Sequence, residues 1–259
     1  VMGLALGVAG VALASVVAQW AGLIIMLYLI FLRRRHYQLT SFQLSLRVVF
    51  THPSWRAFIT VSRDLCLRTV MLWLVEALLL GYAAKTGDLS LASMQIVLVV
   101  FGFIAFGLDG FAHAAEALVG DRLGKRDFAD MKYIIWRSTL LAFYSSVILS
   151  AILFFCRPPI LNMLTSQPDL IDATQAIWIY ITLLPLVSFL AFQMDGIFVG
   201  ATNSAEMRNG MVFALISFIA AHYLFSFADL DAALTAFIFY LGARGVYLAV
   251  RLPVLFTNQ

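Results

Sequence analysis

The sequence predicts an all-α integral membrane protein with about seven transmembrane helices, and its composition is the first evidence for this class. Hydrophobic residues make up 63% of the 259 residues and charged residues 12%, against roughly 45–50% and 25% in soluble domains. The mean hydropathy of +0.94 indicates a chain surrounded by lipid. Because open sheet edges cannot face hydrocarbon, we expect the spanning segments to be helices.

Long apolar stretches are the second evidence. A spanning helix needs roughly 20 apolar residues, since the hydrocarbon core is about 30 Å thick and each helical residue rises about 1.5 Å. Seven stretches of the chain meet this requirement. Their predicted bounds are 2–32, 64–84, 89–117, 134–156, 173–201, 210–228 and 231–251.

Polar turns and prolines separate these stretches. Residues 85–88 and 229–231 have the composition of short turns between antiparallel helices. Pro158 and Pro159 are expected to end the fourth helix, because proline cannot continue the hydrogen-bond ladder. The longest connection, residues 33–61, mixes apolar and basic residues, which suits a helix lying on the membrane surface. A solvated linker fits its composition equally well.

The distribution of lysine and arginine predicts the orientation in the membrane. Counted by loop, the basic residues alternate along the chain, and 14 of the 17, with Arg208, Arg244 and Arg251 among them, fall on one side of the membrane. Cytoplasmic loops carry such an excess, so we expect these loops and the C-terminus to be cytoplasmic. Basic residues spread in this way do not predict a nucleic-acid partner. Since the chain begins directly in apolar sequence at Val1, we interpret it as part of a longer protein.

Ionisable residues inside the predicted helices are the candidates for function. Such a residue at a helix centre costs at least about 2.5–3.5 kcal/mol, so its presence favours a functional role. The six candidates are Arg68, Glu76, Asp109, His113, Glu116 and Asp195.

Three of these candidates form one stripe. Asp109, His113 and Glu116 have the spacing i, i+4, i+7, which places them on the same helix face. The predicted topology puts Arg68, Asp109 and Asp195 in the cytoplasmic half of the membrane, where pairing would lower the cost of burying each charge. The functional interpretation is a polar cavity whose groups titrate as ions or protons pass. A structural layer of ion pairs near the inner interface is the alternative.

Glycine, proline and glutamine residues add further candidates. Gly110 and Gly196 each follow an aspartate, and a missing side chain at these positions would allow another helix or a substrate to approach closely. Pro185 interrupts the fifth predicted helix and is a candidate hinge. Gln193 is a further polar group inside that helix.

The sequence contains no motif of an enzyme or of a cofactor site. We find no GxSxG, HExxH, Walker or GxGxxG motif, and therefore expect no catalytic residue, no bound cofactor and no metal site. Cys66 and Cys156 lie in apolar stretches without ligand spacing, so we expect both to be buried. Transport would then use an ion gradient, with H⁺ or Na⁺ as a transported ion.

Two longer tracts carry a family resemblance. Residues 108–120, LDGFAHAAEALVG, and residues 195–211, DGIFVGATNSAEMRNGM, resemble the multidrug and toxic compound extrusion (MATE) transporters, in particular their DNA-damage-inducible protein F branch. The resemblance spans nearly the whole chain. It implies a twelve-helix protein of two six-helix lobes, of which residues 1–32 are the last helix of the N-terminal lobe, 33–61 the cytoplasmic linker and 62–259 the C-terminal lobe. The missing N-terminal lobe would then be a partner of this chain.

The resemblance also implies a function. MATE transporters are antiporters that export amphipathic, often cationic compounds in exchange for protons or sodium. Asp195 matches an acidic position that serves the cation site of sodium-coupled members, whereas Arg68 falls at or next to a position that usually holds glutamate. A fixed cation there would repel sodium, so the sequence favours proton coupling. The alternatives are a lipid-linked precursor flippase with a more cationic cavity, a membrane-embedded enzyme and a purely structural subunit.

Overall fold

The computed structural model describes residues 7–33, 54–224 and 230–257, and within these ranges the secondary structure is helical with no strand. Seven of the described helices are long and apolar enough to cross a membrane, which confirms the predicted class of multi-pass membrane protein. The chain divides into two compact units, residues 1–55 and 56–259. In the first unit, helix α1 (Gly7–Arg33) has exposed side chains from residue 12 to residue 32, as expected of a helix that faces lipid.

The second unit contains the remaining described helices. Five of them are long. They span the unit together with α2, which begins two residues before the unit does. The bounds are α2 Ser54–Thr86, α3 Asp88–Lys125, α4 Phe128–Phe155, α5 Arg157–Leu164, α6 Pro168–Ala176, α7 Trp178–Gly200, α8 Ser204–Leu224, α9 Leu230–Arg251 and α10 Val254–Thr257.

Several predicted bounds need correction. Helix α2 begins at Ser54 rather than near residue 64, so the last part of the predicted linker 33–61 is helical. The rest of that linker, residues 34–53, lies outside the described ranges together with its surface-helix interpretation. Helix α3 continues to Lys125 because polar residues at its end still support helical hydrogen bonds in the interfacial layer.

The prediction of one continuous helix over residues 173–201 was wrong, because its first residues belong to a separate helix. The chain turns at Ile177, which divides this stretch into the short α6 and the spanning α7. Prolines explain the two short helices, since Pro158 and Pro159 stand at the start of α5 and Pro168 at the start of α6. Proline suits the first helical turn because its missing N–H has no intrahelical acceptor there.

The connection between α3 and α4 is built from local polar groups. Arg126 adopts a left-handed conformation with φ 57° at the end of α3 and donates its backbone N–H to the Leu123 carbonyl at 3.0 Å. Asp127 then caps α4 by accepting the backbone N–H of Asp130 at 3.1 Å. The two helices are thereby held as antiparallel neighbours.

Helix α7 is the central helix of the unit and contacts α3, α4 and α9. Pro185 is buried inside α7 and cannot donate a hydrogen bond one turn back. One turn before it, the hydroxyl of Ser150 in α4 donates to the Thr182 carbonyl at 2.7 Å. The indole of Trp178 donates in return to the Leu153 carbonyl of α4 at 2.9 Å. These two hydrogen bonds join α7 to α4 through backbone carbonyls.

Glycines allow α3 and α7 to cross closely. A Cβ added at Gly196 would overlap the Ala112 carbonyl of α3, and one added at Gly200 would overlap the Glu116 carbonyl. Small residues four apart on one helix are a common means of close helix approach in membranes. Gly110 differs from the packing prediction, because a Cβ there would have nothing within 4 Å.

The prediction that the two cysteines are buried was wrong. Cys66 and Cys156 are both free and exposed on the helix surfaces. In a protein surrounded by lipid an apolar neighbourhood in sequence does not distinguish the protein interior from the lipid-facing surface.

We predict that Gly196→Ala destabilises the protein by about 1–3 kcal/mol, since the added methyl meets backbone that cannot rotate away. Gly110→Ala is the matched control, and we expect no loss of stability there because the position is open. Thermal unfolding in detergent measures both variants. Equal midpoints for the two variants would contradict the close crossing.

Candidate functional site

A cavity of about 510 Å³ lies inside the helical bundle between α2, α3, α7 and α9. It brings together all six ionisable residues singled out in the sequence, and one more. These polar lining residues are Arg68, Glu76, Asp109, His113, Glu116, Asp195 and Arg244.

Asp195 is the centre of the site. Its buried carboxylate on α7 forms ion pairs with Arg68 of α2 and with Arg244 of α9. The side chain of Arg244 is only 3% exposed and that of Asp195 only 9%. The carboxylate therefore ties three helices together inside the membrane-spanning region, where an unpaired charge would carry a large desolvation cost.

Asp109 of α3 faces the same pair of guanidinium groups without touching them. Its carboxylate interacts electrostatically with Arg68, Arg244 and His113. Among the described residues Asp109 takes part in none of the ion pairs, and its side chain is only half-buried. It is therefore the more accessible of the two aspartates.

Two further acids complete the lining. Glu116 lies on α3 one turn after His113. The Nδ1 atom of His113 is 3.2 Å from the Oε2 atom of Glu116. Glu76 of α2 is half-buried and interacts electrostatically with Tyr240. Four carboxylates and two guanidinium groups thus line one cavity, so the fixed charges other than His113 sum to a negative value.

Aromatic rings form the apolar part of the wall. Phe101 contacts Phe237 edge to face, with ring centroids 5.1 Å apart, and Phe192 at 6.2 Å. The Arg244 guanidinium lies 6.0 Å from the centroid of the Phe192 ring. A cavity with aromatic walls and carboxylates suits a ligand that is both apolar and cationic.

Three of the sequence candidates do not line this cavity. Gln193 donates its amide N–H to the Ser138 hydroxyl at 2.8 Å and so joins α7 to α4 instead. Pro185 is buried within α7 among packing contacts, and Gly110 is exposed on α3. Of the glycine and proline candidates, Gly196 alone contributes to the wall.

Arg244 is the functional candidate that sequence reasoning missed. It lies inside the predicted helix 231–251, but it was counted only among the basic residues of the cytoplasmic side, whereas the structure buries it in α9. The signal was present in the spacing, since Phe237, Tyr240 and Leu241 precede Arg244 at the intervals of one helix face. Counting charges by loop overlooks such a residue near a helix end.

A second group of charges lies at the end of the bundle where α2 begins, which we call the basic end. Buried Asp64 is paired with Arg208 at 2.8 Å and with Arg63 at 3.1 Å, and accepts a hydrogen bond from Ser204 at 3.2 Å. This cluster joins α2 to α8; Arg208 was expected on the cytoplasmic side, but its pairing with Asp64 was not predicted.

A neighbouring cluster at the basic end joins α8 to α9. Glu206 is paired with Arg251 at 2.5 Å and accepts a hydrogen bond from the Tyr247 hydroxyl at 3.2 Å. In the described parts of the chain, no group of three or more His, Cys, Asp or Glu side chains is arranged to hold a metal ion.

Comparison with known proteins identifies the family. The MatE family model matches residues 65–228, which contain most of the cavity lining. This chain belongs to the MatE family. The resemblance to MATE transporters drawn from the two tracts is thereby confirmed.

Curated relatives of this MatE chain come from a bacterium and a plant. DNA damage-inducible protein F of Escherichia coli (strain K12) is 29% identical over 250 residues, which are 96% of this chain and 54% of that protein. Protein DETOXIFICATION 42 of Arabidopsis thaliana is 25% identical over 85% of this chain and 41% of its own length. The chain thus spans about half, or less, of the relatives it matches, and no solved structure matches it significantly.

We predict that Arg244→Gln lowers the free energy of unfolding by about 1–3 kcal/mol, because it removes one of the two charged partners of the buried Asp195 carboxylate. In the double variant with Asp195→Asn, the losses should be less than additive by about 0.5–3 kcal/mol. Unfolding in mixed detergent micelles measures the cycle. Strict additivity would contradict direct pairing.

Proposed function

We propose that this chain forms the C-terminal lobe of a secondary active multidrug efflux transporter that exports amphipathic or cationic compounds. The observation that carries the proposal is the cavity between α2, α3, α7 and α9, in which carboxylates and aromatic rings share one wall. Family membership supports transport over enzymatic activity. The bilayer, small amphipathic substrates and the N-terminal lobe are the partners that this function requires.

The charge of the cavity favours cationic cargo over the alternative of a lipid-linked precursor. Precursors of that class carry phosphate groups, which four carboxylates would repel. Asp195 offsets one of the two guanidinium charges and Asp109 faces both groups, so an anionic headgroup would meet carboxylates beside each arginine. Asp109, half-buried and outside the ion pairs, is the group that we assign to the positive charge of a substrate.

We infer proton coupling, which the same arrangement supports. A sodium ion at Asp195 would lie beside two fixed positive charges, whereas a proton neutralises the carboxylate and releases both guanidinium groups. Protonation of Asp195 would therefore free α2 and α9 from α7. A change in helix arrangement at that step would link the proton to the movement of cargo.

The proposed orientation places the basic end in the cytoplasm of a bacterial inner membrane. Arg63, Arg208 and Arg251 lie at this end, in agreement with the positive-inside rule. Its two ion-pair clusters join α8 to α2 and to α9. Protons entering from the other side would then reach Asp195 from the end of the cavity opposite these clusters.

Transport by the full-length protein in vesicles tests the proposal. We predict that Asp195→Asn abolishes efflux of a fluorescent organic cation driven by a pH gradient, because the side chain can no longer exchange a proton. Asp88→Asn is the control, since Asp88 is exposed in the first turn of α3 outside the cavity and should support normal efflux.

The result that contradicts the proposal is unchanged pH-driven efflux by Asp195→Asn. Retained efflux by this variant with a sodium gradient, and not with a pH gradient, would instead support sodium coupling. Transport that survives neutralisation of every acid in the cavity would favour a structural role for these residues.

A further inference from the structure

A second hollow of the unit lies away from the transport cavity. This groove, of about 620 Å³, runs between α4, α7 and the C-terminal helices. The residues that line it are Lys132, Ile135, Trp136, Thr139, Leu190, Met194, Ala249, Leu252, Pro253 and Phe256. Its walls are apolar or aromatic apart from Lys132 and one threonine.

The groove is separate from the cavity by the geometry of α7. Leu190 and Met194 are four residues apart and lie on one face, whereas Phe192, Asp195 and Val199 line the cavity from another. At about 100° per residue, the two faces are about 150° apart around the helix. A ligand in the groove would therefore contact α7 on the side away from Asp195.

The distribution of polarity along the groove matches a phospholipid. Lys132 lies near the start of α4 at the basic end, and its ammonium is 5.0 Å from the centroid of the Phe256 ring. Thr139, on the same face of α4, is about 10 Å deeper at 1.5 Å per residue. The groove thus has a cation at headgroup depth and an apolar channel below it.

Charge complementarity selects the class of headgroup. Among the described residues that line the groove, Lys132 carries the charge and none is acidic. Basic pockets between transmembrane helices on the cytoplasmic side are suited to anionic lipid headgroups, and exposed Trp136 is typical of the membrane interface.

We propose that this groove binds one anionic phospholipid from the leaflet at the basic end. Its phosphate contacts the Lys132 ammonium, and one acyl chain lies along Trp136, Leu190 and Met194. Because the lipid packs against the back of α7, its occupancy supports the position of the helix that carries Asp195. This site is independent of the exported compound and of the coupling ion.

Native mass spectrometry of the full-length protein in mild detergent tests the site with two probes, dioleoyl phosphatidylglycerol and dioleoyl phosphatidylcholine. We expect preferential retention of one phosphatidylglycerol. Lys132→Gln should reduce that retention about fivefold, the size expected of one lysine near an anionic headgroup. Ala249→Trp, which keeps Lys132, should abolish retention because the indole fills the groove.

Lys85→Gln is the matched control. Lys85 lies over an aromatic ring as Lys132 does, 5.7 Å from the centroid of Tyr82, but it does not line the groove. Retention should be unchanged in this variant, and thermal unfolding of all three variants checks that they fold. Equal retention of both lipids, an equal loss in Lys85→Gln, or cross-linking of a cysteine at position 136 to another protein segment would each overturn the proposal.

Discussion

The pairing of one buried carboxylate with two guanidinium groups is the interaction on which the rest of the structure depends. Asp195, Arg68 and Arg244 come from three different helices, and none could be buried in a membrane-spanning bundle at low cost without the others. Their pairing holds α2 and α9 against α7. The same cluster supplies most of the charge at the centre of the cavity, so architecture and proposed function share these residues.

The close crossing of α3 and α7 complements this pairing. Gly196 and Gly200 bring the α3 backbone against α7, which places Asp109 and Glu116 in the same cavity as Asp195. Backbone packing at the glycines and ion pairing at Asp195 thus act on adjacent residues of one helix. A helix fixed on one face by packing and on another by a titratable pair is suited to two discrete arrangements.

The sequence predicted the class of fold well because hydrocarbon thickness and backbone hydrogen bonding leave few alternatives. It also predicted that Arg68, Asp109 and Asp195 lie near one another, since charges inside a bilayer must find partners. Helix bounds were predicted less accurately, because the break at Ile177 depends on a local turn that a hydropathy profile does not detect. Arg244 was missed because it was counted with the basic residues of the cytoplasmic side, although the predicted helix 231–251 contains it.

The glycine and glutamine candidates show the same limit of prediction from sequence. Gly110 and Gly196 have the same sequence context, yet only Gly196 meets another backbone, because contact depends on which helix face the neighbour covers. Gln193 follows the cavity-lining Phe192 in the sequence, but its side chain points from another face of α7 and forms a hydrogen bond with Ser138 of α4. One-dimensional patterns identify polar positions, and the packing of the helices decides which of them share a site.

The most direct measurement of the central claim is the protonation state of Asp195 when cargo binds. Infrared difference spectroscopy of the full-length protein, recorded on addition of tetraphenylphosphonium at a pH low enough to protonate Asp195 despite its two guanidinium partners, reports the loss of protonated carboxyl groups. The account predicts a loss in the wild-type protein that is absent from Asp195→Asn and present in Asp88→Asn. An identical loss in Asp195→Asn would contradict it.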